Sequence, residues 1–379
     1  MLKKIVGITA ACIVTFSSVV FAGEMPQLTA HSAIVIDATT GRVLYEKNAE
    51  ETRYPASTTK MMTLIVALEN GNLNDLVTTS SLAAETEGSS LWLTAGEKLK
   101  LIDMLYGMML VSGNDATVAV AEHIGGSVEN FAKMMTAKAH QIGAVHTNFT
   151  NTSGLPDPNH YSTAADLARI AAYGYKNPVF TQIVSTEHKV LPWAGKDHDR
   201  DLYNENRMLW LYQGGNGVKT GYTDAAGRCL VSGALRQNVQ LVAVVLDSDH
   251  MWEDSIKLLD YGFSLLKPLK IINKGDIFKT VPVSAGKSDS VRLVAADDVV
   301  IPVSKDGSDE FQTMIDAPQR IDAPVNKGEK IGSVKVLYNN AVVKTVDLIA
   351  YDTAEKKSFF SLVWGSVYNF FSHILNRLA

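Results

Sequence analysis

The sequence predicts an α+β protein: an antiparallel sheet flanked by helices, followed by a small all-β domain and a C-terminal amphipathic helix. Three observations predict it. Strand-like segments near residues 33–46 and 217–246 enclose a long stretch of helical patterning. The helical period disappears from residue 269 to residue 352. An aromatic-rich stripe at helical spacing then closes the chain. With 379 residues, two domains are expected rather than one. A composition of 46% hydrophobic and 20% charged residues, with only 11 Pro, is globular and argues against long disorder.

Residues 1–22 read as a secretory signal. Lys3 and Lys4 form a positive start, Ile5 to Val20 is mostly apolar, and Val20-Phe21-Ala22 ends in the small residue a signal peptidase needs. The alternative is a retained membrane helix, but the apolar stretch is short for a span and contains Thr9, Thr15, Ser17 and Ser18. Its removal takes two lysines and no acid, moving the formal charge from −5 to −7. That balance lacks the basic footprint of a nucleic-acid binder. Cys12 leaves with the signal, so Cys229 remains alone and no intramolecular disulfide can form. A buried strand residue is the expected role for Cys229.

The expected domain of residues 23–267 opens with a hairpin, Ala33 to Asp37 and Arg42 to Glu46, around a Thr-Thr-Gly turn. Helices are expected over Thr58 to Glu69, Leu101 to Val111 and Asp115 to Ile124, the last ending at Gly125-Gly126. Asn151 to Tyr161, rich in Asn, Gly and Pro, is a loop, with Ser162 positioned to cap the helix beyond it. Strands return at Gly217 to Thr220, Cys229 to Leu235 and Val239 to Leu246, before a helix from Trp252 to Leu266. Six short strands are expected in the all-β domain of residues 268–352: Lys279 to Val283, Ser290 to Leu293, Val299 to Val303, Glu310 to Ile315, Lys330 to Leu337 and Ala341 to Ala350. Across residues 353–379, Phe360, Val363, Val367, Phe371, Ile374 and Leu378 share one helical face and polar residues line the other. The pattern suits a helix lying in a membrane interface; the alternative is a helix docked on its own domain or on a second subunit.

Chemistry concentrates in three short motifs: Ser57-Thr58-Thr59-Lys60, Ser112-Gly113-Asn114 and Lys219-Thr220-Gly221. Alone, each is weak. Average composition gives roughly one or two chance Ser-x-x-Lys matches in such a chain, and this one has two more, at Ser264 to Lys267 and Ser284 to Lys287. Only the first is followed by Ser-x-Asn and Lys-Thr-Gly, and the ordered set supplies the parts of a serine acyl-transfer machine that uses lysine in place of histidine. A helical i, i+3 relation brings Lys60 onto the same face as Ser57. Lysine becomes a base when desolvated or placed beside another cation. Met61, Met62, Leu64 and Ile65 can supply the apolar surround, and Lys219 the neighbouring charge. Ser112 offers a hydroxyl for proton relay and Asn114 an amide for a substrate peptide group. Lys219 and Thr220 suit a carboxylate, and Gly221 lets substrate lie close to the strand. None of this chemistry calls for a metal or another cofactor.

These residues resemble the penicillin-recognising serine acyltransferases of β-lactamase-like fold, and most closely the low-molecular-mass penicillin-binding proteins that are serine-type D-alanyl-D-alanine carboxypeptidases of the peptidase S11 type. The likeness extends to Tyr54-Pro55-Ala56, Asn151-Thr152-Ser153-Gly154-Leu155, Tyr161-Ser162-Thr163-Ala164, Tyr222-Thr223 and Asp260-Tyr261-Gly262-Phe263, and to the appended β domain and terminal helix. The resemblance implies a Ser57 acyl-enzyme formed on peptidoglycan stems ending in D-Ala-D-Ala, with Lys60 as base. It also implies proton shuttling and substrate holding by Ser112 and Asn114, and Lys219 and Thr220 facing the terminal carboxylate. The oxyanion hole would be the backbone N–H groups of Ser57 and Tyr222, and β-lactams would acylate Ser57. The implied location is outside the cytoplasm, with the terminal helix on the outer face of the cytoplasmic membrane. The chain departs from some relatives by carrying Asp247-Ser248-Asp249-His250 where they have a basic residue near that carboxylate. Arg228 could substitute, or be an ordinary exposed strand arginine.

Rival functions fit less well. A class A β-lactamase is expected to carry a Glu-x-x-Leu-Asn loop, absent here, and no two of the nine His have the i+3 or i+4 spacing of a helical zinc pair. A penicillin sensor would need several membrane spans.

Overall fold

The computed structural model describes residues 24–357 apart from residue 194. The expected signal segment and the apolar stripe from Phe359 to Leu378 lie outside the described residues. Five antiparallel strands form the first sheet, in the order Val43–Lys47, Ser32–Asp37, Val239–Leu246, Gly227–Arg236 and Gly215–Thr223. Strand side chains alternate between faces. Ile34, Ile36, Val242 and Val244 therefore enter one core, while Ala33, Val35, Leu241, Ala243 and Val245 enter the opposite one. Burial on both faces is why Val239–Leu246 reads as a continuous apolar run.

Helix Met251–Leu265 covers one face of this sheet and Ala164–Gly174 the other. Lys60–Asn70 lies at the centre of the second layer, packed on Leu101–Leu110, Asn114–Gly125 and Val128–Gln141. Its residues Lys60 through Ala67 are all buried, so it has no solvent face along most of its length. Asn114–Gly125 ends as expected, on Gly126 with φ of 77°, the left-handed geometry that glycine adopts without a Cβ penalty. Ser162 is not the cap of the following helix. Thr163 is, its hydroxyl accepting the Asp166 N–H at 3.0 Å, whereas Ser162 Oγ pairs with Thr147 Oγ1.

Two short ribbons escaped the sequence patterns, Leu76–Thr78 with Lys98–Lys100 and His188–Leu191 with Arg200–Tyr203. Strands of three or four residues are too short to show a period. Beyond the helix, Leu266–Ile272 pairs with Val299–Ser304 and runs through the expected break at 267/268. A six-stranded sheet follows, in the order Phe311–Asp316, Lys330–Tyr338, Ala341–Ala350, Ser290–Ala295, Ile277–Ser284 and Ile321–Asp322. Its pairing continues beyond residue 352: Ala354 is buried and bridges to Val325, and Lys356 faces Gly286.

The loop following Asn151 braces the turn that carries Ser57. Gly154 has φ of +90°, and a Cβ there would fall 1.8 Å from the Ala56 carbonyl oxygen, so only glycine fits. At the loop's other end, buried His160 accepts the Thr150 N–H at Nδ1. Its proton must then sit on Nε2, which donates to Thr59 Oγ1 at 2.8 Å. Burial pushes the His160 imidazole down to about 4.

That value lies below the roughly 6.5 of an unfolded histidine, so as pH falls the unfolded chain takes up the proton first. The stability from this group is complete above about pH 6.5 and lost towards pH 4, a drop on the order of 3 kcal/mol. Urea unfolding at about pH 7 and about pH 4.5 should show His160→Gln less stable than wild type at the higher pH, with a shallower loss on acidification. Parallel losses in both proteins would show that His160 is not the buried neutral group.

Candidate active site

Ser57 opens the site on a single turn of 3₁₀ helix, Ala56–Thr59, which runs directly into helix Lys60–Asn70. Pro55 precedes the turn, and its carbonyl accepts the Thr58 hydroxyl at 2.7 Å. Ala56 has φ of 48°, a left-handed conformation unusual for a residue with a Cβ. Such a backbone costs on the order of 1–3 kcal/mol and persists only where its surroundings enforce it. Gly154 on one side and Gly221 on the other do so. A Cβ at Gly221 would lie 3.0 Å from Ser57 N, 3.1 Å from Ala56 Cβ and 3.2 Å from Pro55 O. Gly221 thus makes room for the backbone of the serine turn as well as lining the cleft.

Lys60 Nζ lies 2.9 Å from Ser57 Oγ, 2.7 Å from Asn114 Oδ1 and 2.9 Å from the Ser153 carbonyl oxygen. The last two atoms can only accept hydrogen bonds. They take two N–H groups and leave the third tetrahedral direction of the nitrogen pointing at the serine hydroxyl. A neutral amine presents its lone pair there and accepts the Ser57 O–H. Lys60 is fully buried. Loss of water, and then the Lys219 charge, lower its pKa well below that of a free lysine, opposed in part by Glu205 and Asp115.

Ser112-Gly113-Asn114 joins helix Leu101–Leu110 to helix Asn114–Gly125. Ser112 holds φ of 61°, the second strained non-glycine position at the site. At Gly113 a Cβ would meet Leu91 N at 3.1 Å and Asp115 Oδ1 at 2.9 Å. Asp115 explains that crowding. Its buried carboxylate accepts from Leu91 N, Leu93 N and Ser90 Oγ, all within 3.0 Å, and clamps the 90–93 segment over the motif. Both ends of the Asn114 amide are occupied, the oxygen by Lys60 and the nitrogen by the Glu87 carbonyl at 2.7 Å. Ser112 lines the cleft beside Ser57, and its hydroxyl makes no hydrogen bond among the described residues.

The opposite wall is the edge strand Gly215–Thr223. Lys219 is buried on it, donating to Thr220 Oγ1 at 3.3 Å, with burial lowering its pKa to about 8. Ser57, Ser112, Thr220, Gly221 and Tyr222 share a cleft of about 430 Å³. The Tyr222 ring is exposed and its hydroxyl turns to Asp224. Arg228 reaches the same cleft and has no ion-pair partner among the described residues. A cleft of about 610 Å³, lined by Tyr175, Asn216, Gln240 and Lys344 among others, contains none of the motif residues.

The two other Ser-x-x-Lys matches are not assembled into any such arrangement. Ser264 donates to the Tyr261 carbonyl at a helix end, and Lys287 pairs with Glu355. Among the described residues, Glu50, His146 and Asp166 could approach one metal ion. The Arg169 guanidinium already bonds Asp166 at 2.8 Å and lies 3.6 Å from Glu50, a cation in the place a metal would take. Cys229 is buried, and loss of water pushes its thiol up to about 11.

Sequence reasoning gave no role to Asp115 or Glu205, nor to Ser153, which it named only within the Asn151–Leu155 segment of the likeness. Ser153 contributes only a backbone carbonyl, which no side-chain motif can announce. Asp115 follows Ser-Gly-Asn directly and reads as an ordinary first-turn acid. Glu205 has no motif of its own, and only the folded chain brings it to Lys219.

Comparison with known proteins shows which family the chain belongs to. The family model described as D-alanyl-D-alanine carboxypeptidase matches residues 19–250, and that of the penicillin-binding protein 5 C-terminal domain matches residues 267–356. The D-alanyl-D-alanine carboxypeptidase DacF of Bacillus subtilis is 35% identical over 88% of this chain and 88% of its own length. DacA of Haemophilus influenzae is 32% identical over 89% and 88%. Among solved structures, penicillin binding protein 5 from Haemophilus influenzae superposes with a TM-score of 0.63 at 31% identity, over 88% of this chain and all of that one. A peptidoglycan synthesis regulatory factor (PBP3) from Streptococcus pneumoniae gives 0.70 at 27%, over 87% and all of that chain. With a family model covering more than half its length, and with this mixed α+β fold ending in an all-β domain, the chain belongs to the peptidase S11 family of D-alanyl-D-alanine carboxypeptidases, hydrolases of the penicillin-binding protein group.

Proposed function

We propose that Ser57 is the nucleophile with which this carboxypeptidase removes the terminal D-alanine from peptidoglycan pentapeptide stems. The observation that carries the reading is the buried Lys60 amine, 2.9 Å from Ser57 Oγ with its other directions filled by Asn114 and Ser153. Ser57 Oγ attacks the carbonyl carbon of the penultimate D-alanine as its proton passes to Lys60 Nζ. The backbone N–H groups of Ser57 and Tyr222 hold the developing oxyanion, a role supported by the close approach of Gly221 to Ser57 N. The C–N bond then breaks, and the leaving amine takes a proton from Lys60, relayed by Ser112. Lys219 and Thr220 hold the departing carboxylate. Water attacks the Ser57 ester with Lys60 again as base, releasing the shortened stem and restoring the hydroxyl. A β-lactam follows the same first step, its ring amide standing in for the scissile peptide bond. Asn114 is engaged with Lys60 in the resting site, so it acts first as a positioning residue for the base and meets a substrate amide only after exchange.

Treatment with penicillin should place one covalent adduct on the peptide containing Ser57, read by mass spectrometry. Labelling at Ser264 or Ser284, or undiminished labelling of Ser57→Ala, would sink the assignment. Acylation should follow a bell-shaped pH profile. It rises as Lys60 loses its proton below the usual lysine range, and falls as Lys219 deprotonates near about 8. Lys60→Arg cannot supply a neutral base at these pH values, and acylation should drop on the order of 10³-fold with the fold intact. A variant that acylates at the wild-type rate would refute the role.

The domain limits 23–267, 268–352 and 353–379, the signal over residues 1–22, and attachment by the terminal helix complete the proposal. They place the enzyme outside the cytoplasm, at the membrane face where peptidoglycan emerges. The motif for attachment is the Phe- and Trp-rich stripe from Phe359 to Leu378. Burying such side chains contributes roughly 1.5–3 kcal/mol each, ample for interfacial binding. Because Ala354 belongs to the β-domain core, the informative truncation is after Lys357. That form should leave lipid vesicles in a sedimentation assay and still release D-alanine from a soluble pentapeptide. Failure of the full-length mature protein to bind vesicles removes the anchor, and loss of peptide cleavage on truncation makes the tail part of the fold.

A further inference from the structure

Lys219 and Thr220, the groups assigned to the substrate's terminal carboxylate, already face a carboxylate in this structure. Glu205 Oε2 lies 3.8 Å from Lys219 Nζ and 3.4 Å from Thr220 Oγ1, at the edge of the cleft that contains Ser57. The placement is built rather than incidental. Glu205 stands between two buried asparagines, and its own N–H donates to the Leu110 carbonyl at 3.0 Å. Asn204 donates through its side chain to the Thr186 carbonyl at 2.9 Å, and its Oδ1 accepts the Asn206 N–H at 2.9 Å. Asn206 Oδ1 then accepts the Met208 N–H. The backbone of Glu205 is held from both sides, while its side chain, half-exposed, remains free to swing.

Two carboxylates cannot share one ammonium at this distance without repelling each other. A substrate carrying a free C-terminal carboxylate must push the Glu205 side chain outward, into the solvent available to it. A ligand whose carboxylate is masked as an ester or amide has no such demand. Arg228, in the same cleft and without an ion-pair partner among the described residues, supplies a second cation towards which the arriving carboxylate can be drawn, and it relieves only part of the conflict because it is solvent-exposed.

We infer that Glu205 is a specificity-determining residue, a resident competitor that occupies the carboxylate subsite of the free enzyme and weakens its preference for ligands with a free terminal carboxylate. The inference rests on the proposed roles of Ser57, Lys219 and Thr220. In that setting Glu205 acts on binding rather than on the bond being broken, so its removal lowers KM for a D-Ala-D-Ala peptide more than it changes kcat.

The test compares full-length mature wild type with Glu205→Gln and Glu205→Asp. Second-order rate constants of Ser57 acylation are measured with benzylpenicillin and with its neutral methyl ester. Wild-type Lys219 has a pKa of about 8 that Glu205 helps to raise, so the rates are measured at about pH 6 and again at about pH 5 to keep Lys219 protonated in Glu205→Gln as well. In Glu205→Gln the ratio of the penicillin rate to the ester rate should rise about three- to fivefold, the expected size for a partly exposed charge contact. Glu205→Asp, which keeps the charge but withdraws it, should fall between the two. An unchanged or lowered ratio, with the adduct still on Ser57, overturns this inference alone and means that Glu205 assists the carboxylate or is indifferent to it. An adduct on any other residue overturns the site and this inference together.

Discussion

The site depends on the desolvation of one lysine. A free lysine is protonated at neutral pH and cannot take a proton from serine. Lys60 has no contact with solvent, its two obligate acceptors are a side-chain amide and a main-chain carbonyl, and a second buried cation stands nearby. Among the described residues no carboxylate touches it. Most buried charges in proteins are paired; here the pairing is withheld, and the amine is pressed towards its neutral form. That is an expensive state to maintain, and much of the surrounding fold serves to hold it.

The support comes from three directions. Helix Lys60–Asn70 is buried along most of its length by five other helices, which keeps water from the amine. The Asn151–Tyr161 loop braces the Ser57 turn through Gly154 and His160. Asp115 ties the 90–93 segment to the Ser-Gly-Asn turn, and buried Arg200 holds the same segment from outside by bonding Leu91 O, Trp92 O and the Glu97 carboxylate. The strained residues Ala56 and Ser112 sit where these supports converge. Strain of this kind is tolerated only where neighbouring contacts over-determine the backbone.

The two walls of the cleft differ in character. The Ser57–Lys60 wall is closed and apolar beneath, an environment that favours the neutral form of the Lys60 amine. The Lys219 wall is an edge strand, open to solvent at Thr220 and Tyr222 and bordered by Glu205 and Arg228. Chemistry of one kind is fixed on the first wall. Of the charges on the second wall only Lys219 is buried, while Glu205 and Arg228 border it from a loop and a strand end.

Much of this was legible in the sequence. The terminal strands enclosing helices, six of the eight strands beyond residue 265 and the three motifs all follow from side-chain period and spacing, which are local properties; Leu266–Ile272 and Ile321–Asp322 were not expected. The helix Lys60–Asn70 and the strand Val239–Leu246 announce themselves because packing on all sides leaves a continuous apolar run. What the sequence alone determined was therefore which residues could do chemistry and on which elements they ride. Only the tertiary structure decided how they meet. Ser153 reaches Lys60 through a backbone oxygen, Gly221 packs closely against the serine turn, and Asn114 is engaged on both ends of its amide. Glu205 lies 14 residues before Lys219, on a loop without any motif, and becomes its neighbour only when the chain turns back along the edge strand. Contacts of this kind arise from chain reversals and main-chain atoms, and neither leaves a trace in residue type or period.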